Sequence, residues 1–134
     1  MILVDTSAWI EYFRATGSIA ALEVRRLLSD EPDQVLTCEP VAMEILAGAT
    51  TDTRYGRLER LVNGLESLEV EPARDFRSAA DIYRAARRSG RTIGSINDCL
   101  IAAIALRRRV PVAHRDADFD VISEITGLTA ISLR

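Results

Sequence analysis

Ile2-Leu3-Val4-Asp5-Thr6-Ser7 decides how the rest of the chain is read. Three consecutive aliphatic residues without polar alternation mark a strand buried on both faces. Such strands belong to parallel sheets covered by helices. The apolar run stops at Asp5, and Asp, Thr and Ser are all good helix-start residues. A strand that passes directly into a helix opens an α/β fold.

Outward from this start, strands and helices alternate. Residues 8–14 and 18–29 read as helices separated by Gly17-Ser18, and a turn with Pro32 covers Asp30 to Asp33. Val35-Leu36-Thr37 is a second strand. Pro40 fits the first turn of a helix running to about Ala47, which Gly48 ends. Residues 53–64 form a helix with Leu58, Leu61, Val62 and Leu65 along one side, and 68–70 a short strand. A long amphipathic helix over 73–89 is expected to turn Phe76, Ala79, Ala80, Tyr83 and Ala86 inward. Residues 96–108 form the most apolar helix, 110–113 a strand, 119–125 a short helix and 129–132 a closing strand. The expected architecture is α/β: a central parallel sheet of four to five short strands flanked by helices on both faces, with residues 1–134 as a single domain.

Composition narrows the chemistry. The 134 residues carry a formal net charge of -3, which excludes a generic polyanion binder. All 17 basic residues are arginine, so no reaction that needs a lysine amine is available. His114 is the single histidine, which excludes acid–base catalysis by two histidines. Cys38 and Cys99 lie in apolar surroundings and are expected as reduced core thiols; two residues are too few for a zinc site. The longest apolar stretch, Cys99 to Leu106, is far short of the ~20 residues that a membrane helix needs. The expected setting is cytoplasmic, with no membrane partner.

Acids gather where α/β sheets keep their ligand sites, at the carboxyl ends of the strands. Asp5 ends the first strand, Asp116 and Asp118 follow strand 110–113, Asp98 opens the apolar helix, and Glu44 lies in the helix after the second strand. Asp98 is the most telling, because Ile101, Ala102 and Ala105 share its side of a helix that is apolar nearly all round. A carboxylate buried there without a partner costs several kcal/mol, on the order of other buried charges. Each acid also has a plainer use. Asp5 and Asp98 sit where helix caps sit, Glu44 fits a solvated edge, and Asp116, Asp118 and Asp120 fit a polar loop before a helix. Together they repel one another and stay ionised only if a cation joins them. Oxygen ligands without a His/Cys set point to Mg²⁺, with Mn²⁺ as the alternative. A phosphoacceptor receiver domain would need a lysine in its acidic pocket, and a haloacid-dehalogenase-type phosphatase would need Asp-x-Asp where Asp5-Thr6-Ser7 stands.

Four segments carry a family resemblance: residues 2–9 (ILVDTSAW), 41–48 (VAMEILAG), 96–102 (INDCLIA) and 114–119 (HRDADF). Across the whole chain the sequence resembles the PIN-domain nucleases, and more closely the VapC toxins of VapBC toxin–antitoxin pairs. The resemblance implies a PIN fold and an Mg²⁺- or Mn²⁺-dependent endoribonuclease that uses a metal-activated water. It carries the metal ligands to Asp5, Asp98, Glu44 and Asp116, with Asp118 as a further acid and Thr6 and Ser7 in support. It also implies a homodimer, a VapB-type antitoxin as partner, and structured RNA, transfer RNA first, as substrate. His114 departs from relatives that carry a small hydroxyl residue, and is expected to contact RNA or to serve the strand end.

Arginine must supply the basic side of RNA binding. Arg84, Arg87, Arg88 and Arg91 are expected to hold phosphates, whereas Arg107, Arg108 and Arg109 suit the negative end of their helix. Trp9, Tyr12 and Phe13 suit base stacking or core and dimer packing. Two other readings stay open: a metal-dependent DNA nuclease, and a PIN-like binding module without catalysis.

Overall fold

The computed structural model describes all 134 residues. Five strands are present: β1 (Ile2–Val4), β2 (Val35–Cys38), β3 (Glu66–Leu68), β4 (Val112–His114) and β5 (Ala130–Ser132). They form one sheet in the order β3-β2-β1-β4-β5, every pair parallel. Seven helices connect them: α1 (Thr6–Phe13), α2 (Ile19–Asp30), α3 (Glu39–Ala47), α4 (Asp52–Asn63), α5 (Pro72–Arg88), α6 (Ile96–Arg108) and α7 (Ala117–Ile125). Right-handed crossovers place α1 to α4 over one face of the sheet and α5 to α7 over the other. Leu3, Val4, Leu36, Val112 and Ala113 of the central strands have essentially no exposed surface. That double coverage explains why these strands are continuously apolar.

Local signals set most boundaries. Ser18 and Thr51 cap α2 and α4 through hydrogen bonds from the Ala21 and Arg54 N–H groups. Pro40 stands in the first turn of α3, where its missing N–H has no helical role. Asp5 and Asp116 cap α1 and α7, so both helices start two residues earlier than their apolar patterns suggest.

Two expectations need correction. The third strand is Glu66–Leu68 rather than 68–70, because it pairs in register with Leu36 to Cys38. On α5 the buried positions are Asp75, Ala79, Ile82 and Ala86, whereas Phe76 is 56% exposed, Ala80 is exposed and Tyr83 is half-buried. The stripe follows helical spacing from Asp75, and Phe76 is rotated roughly 100° away from it. An acid could lead that stripe because Arg107 pairs with it, at 2.9 Å from each carboxylate oxygen.

The side to which the next strand is added reverses between β1, which leads to β2 on one side, and β4, which leads to β5 on the other. A crevice forms beyond the carboxyl ends of two such strands. It lies beyond Val4 and His114, directly before Asp5 and Asp116.

Candidate active site

Asp5 leaves β1 at the sheet edge, with its N–H bonded to the Ala113 carbonyl of β4 at 2.9 Å. Its side chain is almost completely buried. Oδ2 accepts the Ser7 N–H at 2.9 Å and the Ser7 hydroxyl at 2.6 Å. The capping use anticipated for Asp5 therefore exists, yet it engages one oxygen only. Oδ1 is buried with no protein partner. Burial pushes the Asp5 carboxyl up to about 6, Glu44 adds to the rise, and the Ser7 hydrogen bonds oppose it.

Asp98 is brought in by the first turn of α6, and it is 4% exposed. It caps nothing: Ser95 holds the cap position, and no helix N–H bonds to the Asp98 carboxylate. Its Oδ2 is also buried without a protein partner. Burial, followed by the charge of Asp5 and by Asp118 and Asp116, pushes this carboxyl up to about 9.

Around these two acids the others form two overlapping groups. One oxygen from each of Asp5, Glu44 and Asp98 lies within 4.8 Å of the others, and the same holds for Asp98, Asp116 and Asp118. Asp98 belongs to both. The Asp118 carboxylate accepts the N–H groups of Gly94 and Ser95, each at 3.0 Å, and so fastens the start of α6 to α7. Asp116 Oδ1 accepts the Asp118 N–H at 2.9 Å. Thr6 donates a long 3.5 Å hydrogen bond to Glu44 Oε1. Ser7 both donates to Asp5 and accepts the Arg115 N–H at 2.9 Å, which ties the ends of β1 and β4 together.

Asn97 is the site residue that sequence reasoning missed. Its Nδ2 donates to Glu44 Oε1 at 2.7 Å and to the Pro40 carbonyl at 3.3 Å. The signal was present, since Asn97 adjoins Asp98 in a quoted motif, but its contact with α3 lies 53 residues away.

His114 is fully buried, which corrects the expectation that it contacts RNA. Its Nδ1 accepts the Asp116 N–H at 3.1 Å, its ring lies 5.3 Å from that of Phe119, and Nε2 faces Asp120 at 3.5 Å. Burial holds its pKa below the usual histidine range. Asp120, expected in a polar loop, lies in the first turn of α7, is partly buried and also pairs with Arg134. The imidazole serves the strand end, its other anticipated role.

The arginines divide by position. The Asp75–Arg107 pair joins the start of α5 to the end of α6, so these helices run antiparallel. Arg84, Arg87, Arg88 and Arg91 consequently lie toward the Asp98 end, and Arg107 lies at the opposite one. Arg91 is engaged with Glu124 at 2.6 Å, and Arg87 lies over the Tyr83 ring at 5.1 Å.

Clustered, buried carboxylates with unpartnered oxygens suit one class of ligand. Their donors are hard oxygens, their charges repel, and the chain offers no lysine to neutralise them. A divalent cation of the Mg²⁺ or Mn²⁺ kind fits that set.

Residues 2–125 match the PIN domain model. The chain is 67% identical over 134 residues to ribonuclease VapC11 of Mycobacterium tuberculosis, covering 100% of both chains. It is 34% identical over 128 residues to ribonuclease VapC18 of the same organism, covering 92% of this chain and 88% of the other. Among solved structures, VapBC2 from Rickettsia felis superposes with a TM-score of 0.76 at 15% identity, covering 100% of both chains. The chain belongs to the PIN-domain family, and within it to the VapC ribonucleases.

Proposed function

We propose that this protein is a metal-dependent endoribonuclease, the toxin half of a VapBC-type toxin–antitoxin pair, acting as a single PIN domain over residues 1–134. One observation carries the reading. Asp5 Oδ1 and Asp98 Oδ2 are buried carboxylate oxygens without protein partners, in a cluster with three further acids. Membership among the VapC ribonucleases supports the reaction class.

Asp5 and Asp98 would hold the ion, with Glu44, Asp116 and Asp118 completing the set. We take Mg²⁺ first and Mn²⁺ second. When bound, such an ion supplies Lewis-acid polarisation of a phosphodiester and lowers the pKa of water. The chain's own residues prepare the site. Ser7 fixes Asp5 through Oδ2 and leaves Oδ1 for the ligand. Asn97 and Thr6 hold Glu44 Oε1 from two different helices, and Asp118 anchors the backbone that leads into Asp98. His114 holds the Asp116 backbone.

Structured RNA is the proposed substrate class, transfer RNA first, because its loops offer splayed bases and reachable backbone. Arg84, Arg87, Arg88 and Arg91 stand as candidate phosphate contacts at the site end of α5. The proposed partners are a cognate VapB-type antitoxin and a second copy of the chain. Met43, Phe76 and Ile96 are each more than half exposed, share grooves with Asn97, and would suit the second copy. No helix is long and apolar enough to cross a membrane, and we place the protein in the cytoplasm.

The test is cleavage of bulk transfer RNA by the wild type and by Asp98→Asn, with Mg²⁺ and with EDTA. Cleavage that needs both Asp98 and metal supports the reading; full activity in EDTA or in Asp98→Asn overturns it. A labelled DNA strand run in parallel distinguishes a DNA nuclease. Titration calorimetry with Mn²⁺ separates an enzyme from a binding module, which would show no uptake.

A further inference from the structure

Beyond the acid cluster, one cavity of about 140 Å³ combines charge with a wall of the site. Ile10, Phe13, Ile45 and Leu58 make its apolar side, and Glu44, Arg14 and Arg54 its charged side. Most arginines near an acid in this molecule are already engaged: Arg26 with Glu23 and Glu31, Arg91 with Glu124, Arg107 with Asp75, Arg115 with Glu11. Arg14 and Arg54 have no acidic partner within salt-bridge distance and are exposed. Glu44, the acid beside them, already spends Oε1 on Asn97 and Thr6. Arg54 lies over the Phe13 ring, 6.0 Å from its centroid, which favours one orientation of its guanidinium.

We infer that Arg14 and Arg54 form a phosphate subsite that grips the RNA backbone next to the bond being cut. The inference rests on the ribonuclease reading and adds to it the side on which the strand leaves the acids. Two unpaired guanidinium groups flanking a small cavity suit a single phosphate, which both can grip with paired N–H donors. A neighbouring phosphate must lie close to the scissile one, and Glu44 belongs both to this cavity and to the acid cluster. Arg14 directly follows α1 and Arg54 lies on α4, across the site from the arginines at the end of α5, so a bound strand would cross the acids between two basic flanks.

The test uses Arg14→Gln, Arg54→Gln and the double variant, with Arg108→Gln as a control at the far end of α6. These are exposed positions, and circular dichroism checks that each variant folds. The probe is a fluorescein-labelled twelve-nucleotide oligouridine in EDTA, titrated by anisotropy at several salt concentrations. Each single variant is expected to weaken binding about three- to tenfold, and the double variant to reduce the salt slope by ~0.7–1, the share of one phosphate. On bulk transfer RNA with Mg²⁺, KM is expected to rise by a similar factor while kcat stays within about twofold of the wild type. Unchanged RNA binding and KM in the double variant, with cleavage intact, overturn the subsite and leave the ribonuclease reading standing. Unchanged RNA binding together with loss of a glutamate-rich peptide assigns the groove to a protein partner and also overturns it. A wild type that neither binds oligouridine nor cleaves RNA overturns both readings.

Discussion

Asn97 on α6 donates a 2.7 Å hydrogen bond to Glu44 Oε1 on α3, bridging the helices that cover opposite faces of the sheet. Glu44 is half-buried and has a long, mobile side chain, so this bond fixes where its carboxylate stands. Replacing Asn97 with Ala is expected to lower Mn²⁺ affinity about 10-fold and kcat by a similar factor, the range seen when a ligand loses its outer partner. Asn97→Asp is expected to be worse, because it adds a like charge beside Glu44 and Asp98. Calorimetry and steady-state cleavage check both. Equal Mn²⁺ binding in the wild type and Asn97→Ala would show that Glu44 needs no such support.

Asp98→Asn is expected to trade activity for stability. The substitution keeps the side-chain shape and removes a buried carboxyl that burial and the neighbouring Asp5, Asp118 and Asp116 force to take up a proton on folding. The metal-free protein should gain about 1–3 kcal/mol, seen as a melting temperature several degrees higher. Cleavage should fall by more than the ~100-fold that loss of an outer partner costs. A lower melting temperature in Asp98→Asn would mean that the carboxylate serves the fold.

Metal-free stability is expected to fall as pH rises. Asp98 is raised from 3.8 to about 9 in the folded protein, and Asp5 from 3.8 to about 6. A carboxyl raised on folding binds its proton more tightly in the native state. Its contribution is whole below the unfolded value and is lost as pH climbs through the folded one. The Asp5 share should be gone by about pH 7, and the Asp98 share should decline to about pH 9. Mn²⁺ needs ionised carboxylates, so the stabilisation it brings should be larger at about pH 8 than at about pH 5. Thermal melts with EDTA and with Mn²⁺ across that range test this, and a flat profile in EDTA contradicts it.

The Asp75–Arg107 pair is expected to serve folding alone. Asp75 is 1% exposed. Burial raises its pKa, but Arg107 and the Glu71 N–H outweigh burial and hold it below the usual carboxylate range. Arg107→Ala leaves a buried carboxylate without its cation, at a cost of about 3 kcal/mol. Urea denaturation should report that loss, while kcat of the folded variant stays within about twofold of the wild type. A stability change below about 0.5 kcal/mol would place the pair with weak surface ion pairs.

Much of this molecule could be read without coordinates. Apolar runs and helix-start residues reported four strands and all seven helices, because burial on one or both faces imposes its period on the chain itself; β3, mostly polar, was placed two residues late. The acids Asp5, Asp98, Asp116 and Asp118 were legible for a related reason: each follows a strand or lies in the first turn of a helix, and parallel topology sends those positions to one edge, whereas Glu44, in the middle of α3, joined them mainly through the family resemblance. Asp98 stood out because a charge in an apolar helix violates the local pattern.

Tertiary structure decided the pairings. Asn97 with Glu44, Ser7 with Arg115 and Asp75 with Arg107 join segments 32 to 108 residues apart. No local period encodes such contacts. The same limit explains Phe76 and His114, whose exposure depends on which neighbour lies against them. Sequence alone determined which residues carry the chemistry and at which edge of the sheet they gather. Only the packed chain decided which carboxylate oxygens are already bonded and which are left for a ligand, because hydrogen bonds are assigned atom by atom between distant segments.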